Sequence, residues 1–145
     1  MSTIGFDTSN YTTSTAWTDG KTDINVRQIL YVKDGERGIR QSDGVFQHMK
    51  LMPVMYEKLS EQIDFKDVKA VGVSTRPRCV EGSYMPVFLA GEGYAKVVAN
   101  TVGVPLYEFS HQDGHIMAGI YSSGSFELLE NDFISVHLSG GTTEI

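Results

Sequence analysis

Cysteine is almost absent: Cys79 is the single one among 145 residues. That excludes an internal disulfide and any cluster of thiolate metal ligands. Positive charge is scarce too. Twelve Lys and Arg stand against eighteen Asp and Glu, a net charge of −6, so the surface as a whole does not attract polyanions. A local basic patch would have to be built from Arg37, Arg40, Arg76 and Arg78. No apolar run approaches the about 20 residues needed to cross a bilayer. The opening Met-Ser-Thr-Ile-Gly-Phe-Asp lacks the basic and then apolar pattern of a secretory signal. These absences lead us to expect a cytoplasmic protein with no membrane contact. What is present is ordinary for a globular chain: 41% hydrophobic and 21% charged residues, enough for one good core and too little for two large domains.

Along the chain, β-branched and alternating segments predict strands over residues 3–7, 13–18 and 26–32, joined by polar turns as in an antiparallel meander. Val45, Met49, Met52, Tyr56, Leu59 and Ile63 then recur at spacings of three and four, one buried face of a helix. Ser42 suits its N-cap, Pro53 should kink it, and the methionines read as core filling. A fourth strand is predicted over 69–74 and a second helix over 86–100. Gly91 and Gly93 cost that helix about 1 kcal/mol each relative to alanine, a cost explained by close approach to a sheet near Gly91 and Ala95. A fifth strand over 104–109, a third helix that opens the apolar stretch 116–121, and a strand over 133–138 complete the order. Residues 142–145 should form the return strand of a hairpin. We therefore expect a mixed α/β sheet with helices packed on it, with residues 1–132 as a first domain and 133–145 as the start of a second that continues beyond the chain.

Candidate chemistry concentrates in the run Ser-His-Gln-Asp-Gly-His. His111 and His115 lie four apart and share a helix face, so two neutral imidazoles could grip one divalent metal. Polar residues at a helix start are an equally good reading of the pair alone. The spacing matches the zinc-protease signature His-Glu-x-x-His, but that signature requires a glutamate where Gln112 stands, and glutamine is no general base. His137, preceding a glycine turn, could reach the same metal or simply face solvent from a strand. His48 reads as a packing or hydrogen-bonding residue. The turn from Asp7 through Ser9 to Thr13 offers a carboxylate, hydroxyls and free amides that suit a phosphate or a metal-bound phosphate, and suit an ordinary hairpin equally well. In Ser139, Gly140, Gly141 and Thr142 adjacent glycines let amides converge on an anion, or make a simple tight turn. A ribonuclease-H-type nuclease would need several clustered carboxylates, for which Asp7 alone is poor support.

In combination these segments resemble the proteins that make threonylcarbamoyl-adenosine in tRNA, known in older schemes as O-sialoglycoprotein endopeptidases or glycoproteases. Ile4-Gly5-Phe6-Asp7-Thr8-Ser9 is similar to that family's opening Gly-Ile-Glu-Thr-Ser, and His48 with Leu51-Met52-Pro53-Val54 to its His-x-x-x-Leu-Pro-Pro-Leu. Leu89-Ala90-Gly91 with Tyr94-Ala95-Lys96 resembles its Val-Gly-x-x-Phe-Ala-Lys, His111 and His115 its His-x-x-x-His, and Leu138 to Glu144 its Val-Ser-Gly-Gly-x-Thr-Gln. The resemblance implies an actin-like, ribonuclease-H-like ATPase fold with helices on both faces of the sheet. It implies one divalent metal, iron or zinc, on His111 and His115, with His137 where some members place a tyrosine ligand. It implies phosphate of ATP or of a threonylcarbamoyl-adenylate against Ser139 to Thr143, and tRNA as acceptor. Two segments depart from the pattern. Asn10-Tyr11-Thr12-Thr13 replaces Cys-Asp-Glu-Thr, and Arg76-Pro77-Arg78 replaces a Gly-Pro-Gly loop. The alternative the resemblance carries is a non-catalytic scaffold that dimerises with a homologous actin-like subunit.

Overall fold

The computed structural model describes residues 1–36, 38–138 and 143–144, the last two by backbone alone. Three strands come first: β1 (Ser2–Ser9), β2 (Thr12–Thr18) and β3 (Asp23–Ile29). Helix α1 (Gln41–Ser60) and strand β4 (Val68–Arg76) follow, then α2 (Phe88–Val102), β5 (Leu106–Ser110) and α3 (His111–Ser123). A two-residue ladder, β6 (His137–Leu138) with β7 (Thr143–Glu144), closes the order. The main sheet runs β3-β2-β1-β4-β5. β1, β2 and β3 pair antiparallel, whereas β4 joins β1 in parallel and β5 joins β4 in parallel. The expected mixed sheet with an initial meander is therefore what forms.

Alternation along β1 sorts the two faces. Ser2, Ile4, Phe6 and Thr8 are buried, and with Met52, Leu59, Val68, Val71, Val73, Ala95 and Ala99 they make or border the core beneath α1 and α2. The opposite face carries Gly5 and Asp7, and α3 crosses on that side, from His111 against Asp7 to Tyr121, whose hydroxyl donates to Asp23 on β3 at 3.2 Å. Helices thus flank the sheet on both sides.

Several local expectations shift. β3 begins at Asp23 rather than at residue 26, because the hairpin turn is short: the Asp19 carboxylate accepts from the Lys21 and Thr22 amides at 2.8 and 2.7 Å, and Gly20 takes φ 87°. That sets Thr18 opposite Asp23. Ser42 does not cap α1. The N-cap is Arg40, without a side-chain bond, and Gln41 instead ties three elements together, donating to Asn10 Oδ1 at 2.8 Å and accepting from the Val87 amide at 3.4 Å. The buried stripe of α1 is Gly44, His48, Met52, Met55 and Leu59, whereas Met49 is exposed. α1 continues through Pro53. The carbonyl of Met49, left without its intrahelical donor by the proline, accepts the Tyr94 hydroxyl at 2.9 Å. Residues 133–136, expected to be strand, lie outside any ladder, since only His137 and Leu138 find a partner among the described residues.

α2 does approach the sheet at Gly91. A Cβ there would sit 2.8 Å from Thr8 Oγ1, and the Thr8 hydroxyl occupies that space, accepting from the Gly91 amide at 3.0 Å and donating to the Val87 carbonyl at 2.8 Å. Gly93 has no such reason, with nothing within 4 Å of a Cβ built on it.

Candidate metal centre at the ends of the parallel strands

β1, β4 and β5 run in parallel, so their C-terminal ends gather at one edge of the sheet, the usual location for ligand chemistry in such sheets. Asp7 lies near the end of β1, Ser74 and Arg76 near the end of β4, and His111 directly after β5. The sharp passage from β5 into α3 is made by a capping box. Ser110 Oγ accepts from the Asp113 amide at 3.1 Å, and Asp113 Oδ2 accepts from the Ser110 amide at 2.8 Å. These two residues satisfy the first orphan amides of the helix, so the histidines are not needed as caps and are free to do something else. Asp113 is therefore a structural residue.

The three histidines form a line. His111 and His115 pack edge to face with ring centroids 4.4 Å apart, and His137 stacks on His115 at 5.2 Å and 25°. Nε2 of His111 and Nε2 of His115 are 2.9 Å apart. Two nitrogens each about 2.0–2.1 Å from one metal are separated by roughly 2.9–3.4 Å at bond angles of about 90–109°, so the pair fits a shared ion. His137 is close, but its ring stacks rather than converges, and no group of three or more His, Cys, Asp or Glu among the described residues is arranged to hold a metal. On the other side His111 rests 6.1 Å from the ring of buried Phe88. Its Nδ1 is 2.7 Å from Asp7 Oδ2.

Asp7 was expected beside a phosphate. Both of its oxygens have partners in the chain, Oδ2 with His111 and Oδ1 with the Ser9 amide at 2.8 Å. Burial opposes its ionisation, but the hydrogen bond and charge of His111, the Ser74 hydroxyl and the Ser9 amide outweigh it and hold the carboxyl below its ordinary range. His115 is pulled the other way for a base. Burial first, then the neighbouring rings of His111 and His137, lower its pKa and favour the neutral form that ligates. His48 is fully buried, its Nδ1 2.8 Å from Thr13 Oγ1, consistent with a packing and hydrogen-bonding role. Its pKa is lowered by burial, partly offset by the Ser9 backbone and the Asp7 charge.

The second half of the expected phosphate site, Ser139, Gly140, Gly141 and Thr142, lies outside the described residues, as does Arg37. The Arg76-Pro77-Arg78 loop borders the histidine helix, the Pro77 carbonyl accepting from the Gln112 amide at 3.1 Å. Arg76 is turned toward its own loop, with Thr75 Oγ1 at 3.1 Å and Cys79 Sγ at 3.9 Å. The pairing of Asp7 with His111, 104 residues apart, had no signal in the sequence beyond the placement of each at a strand end. The capping box was readable in Ser110-x-x-Asp113.

The fold and strand order define a domain of the ribonuclease-H-like, actin-like class. Solved structures agree: YeaZ from Pseudomonas aeruginosa superposes with a TM-score of 0.54 at 15% identity, covering 76% of this chain and 43% of that one. An uncharacterised protein with similarity to peptidase YeaZ superposes at 0.56 and 11% identity, covering 98% and 62%. No protein-family model matches the sequence. Among curated proteins, the tRNA N6-adenosine threonylcarbamoyltransferase of Pyrobaculum calidifontis is 28% identical over 144 residues, 98% of this chain and 40% of that protein. Those of Christiangramia forsetii and Moorella thermoacetica are 31% and 35% identical over 96 and 100 residues, each covering 27% of the relative. Over these stretches the chain is similar to tRNA N6-adenosine threonylcarbamoyltransferases, and it spans between about a quarter and two fifths of the length of these relatives.

Proposed function

We propose that this chain carries the metal-gripping part of a tRNA N6-adenosine threonylcarbamoyltransferase, working with a nucleotide-activated threonylcarbamoyl donor. The observation that carries the proposal is the convergence of the His111 and His115 Nε2 atoms to 2.9 Å at the ends of the parallel strands. His111 and His115 would hold one iron or zinc ion, with His137 close enough to join them by a rotation of its ring. The ion, when bound, supplies a Lewis acid able to polarise a carbonyl. The protein's own part is to bring two imidazole nitrogens together while His111 rests against buried Phe88. Ser9 and the glycine turn of Ser139, Gly140, Gly141 and Thr142 are the proposed contacts for phosphate of ATP or of the acyl-adenylate. Asp7, held against His111, would face a metal-bound phosphate from the same turn. The names of the relatives support tRNA as acceptor. The overall charge of −6 means that tRNA contact must be local or supplied by a partner.

A second reading is supported by two observations. The acidic pair of the family's first turn is replaced by Tyr11 and Thr12, and an apolar groove of about 560 Å³ lies open between α1 and α2, lined by Met52, Pro53, Tyr56, Tyr94 and Val97 among others. On this reading the chain is a non-catalytic scaffold that docks a homologous actin-like subunit.

Metal analysis and ATP titration of the purified protein separate the two. The transferase reading requires iron or zinc to co-purify at near one per chain and to be lost in His111→Ala. If no metal co-purifies and His111→Ala leaves ATP binding unchanged, the scaffold reading replaces it. Complementation of a strain lacking the tRNA modification then tests the acceptor.

A further inference from the structure

Asp7 is half-buried at the end of the first strand. Its carboxylate is clamped at both oxygens, by the Ser9 amide at 2.8 Å and by His111 at 2.7 Å. An ionised carboxylate only accepts hydrogen bonds, so the proton between Asp7 and His111 belongs to the imidazole, on Nδ1. A neutral imidazole protonated on Nδ1 has a bare Nε2, and this nitrogen is the one that faces His115 at 2.9 Å. Asp7 thereby sets which nitrogen of His111 is turned, without a proton, toward His115.

We infer that Asp7 is the positioning residue of the metal centre, fixing the tautomer and ring orientation of His111 so that its Nε2 lone pair is presented as a ligand. The inference rests on the proposed metal reading and adds a residue to it. Asp7 touches neither metal nor substrate. It works through His111, as outer carboxylates do behind ligating histidines. It also accounts for why the first strand must reach Ser9 before turning: the Ser9 amide is the anchor that keeps Asp7 Oδ1 from rotating away. The fixed pair cannot be reproduced by asparagine. Whichever way an amide is placed at residue 7, its NH₂ faces either the Ser9 amide or the protonated Nδ1, so one of the two bonds is lost.

The test uses the 145-residue chain, zinc alone as probe, and two independent readouts. Competition of zinc against a chromophoric chelator should show Asp7→Asn binding about 10- to 100-fold more weakly than the native chain. Asp7→Glu should recover part of the loss, and His111→Ala should abolish binding. Imidazole ¹⁵N shifts of the metal-free protein should show His111 protonated on Nδ1 in the native chain and a mixture of tautomers in Asp7→Asn, with unchanged far-ultraviolet circular dichroism showing that the variant is folded. Native-like zinc affinity in Asp7→Asn, or a native His111 protonated on Nε2, overturns the assignment. If the native chain binds no zinc, the metal reading fails on its own, and the tautomer measurement still decides whether Asp7 governs His111.

Discussion

His48 and Tyr56 are the residues whose burial should be visible in solution. The folded state lowers the pKa of His48 below its ordinary 6.5, chiefly by burial. An unfolded chain then binds a proton more readily than the folded one. The stability this group contributes is complete above about pH 6.5 and is lost as pH falls toward the lowered value. Denaturant unfolding between pH 7 and pH 5 should therefore show declining stability, and His48→Asn should show a smaller decline from a lower starting point. Tyr56 has the opposite sign. Burial raises its phenol from 10.0 to about 12, so its contribution is complete below pH 10 and disappears as pH climbs through about 12. Tyr56→Phe should lack that alkaline component. Both groups sit in or beside the core formed by β1 and α1, and neither prediction depends on a metal.

Elements meet in this fold through a few backbone contacts, and two can be tested by paired substitutions. Gly91→Ala places a methyl 2.8 Å from Thr8 Oγ1 on the buried side of α2. It should destabilise the chain by about 1–3 kcal/mol through overpacking and loss of the hydrogen bond it displaces. Gly93→Ala, two residues on and facing open space, should raise stability by up to about 1 kcal/mol on helix propensity alone. Thermal unfolding of the two variants checks the contrast. The second pair concerns Pro53. Tyr94→Phe removes the hydroxyl that satisfies the Met49 carbonyl and should cost about 1 kcal/mol. Adding Pro53→Ala restores an intrahelical donor to the same carbonyl, so the double variant should recover most of the loss. A simple sum of two destabilisations would show that the hydroxyl and the proline are uncoupled.

Across the whole molecule, the segment after α3 differs in that none of its described residues is buried. Phe126, Leu129, Ile134, Val136 and Leu138 are 48%, 55%, 82%, 57% and 73% exposed, whereas the sheet and first two helices bury a continuous core. Exposed apolar side chains favour association where they lie together. Sedimentation of the isolated chain should reveal concentration-dependent association, reduced when Ile134 and Leu138 are both replaced by lysine. Among the described residues no helix is long and apolar enough to cross a membrane.

The elements were legible in the sequence wherever a period declared itself. Alternation of β-branched residues marked the strands, and three- and four-residue spacing marked α1. The His111–His115 pair was evident from helix geometry, because contacts within one helix depend only on separation along the chain. Boundaries and pairings were less accessible. β3 took its register from the Asp19 turn, α1 its N-terminus from Gln41 reaching Asn10 and Val87, and residues 133–136 no strand at all for want of a partner. The contact that most changes the reading of the site, Asp7 against His111, joins two strand ends that are adjacent only because β1, β4 and β5 lie in parallel with β4 between them. Local residue types could offer a carboxylate and an imidazole. Their meeting was settled by long-range strand pairing, whose energetics belong to the assembled sheet and not to any stretch of the chain.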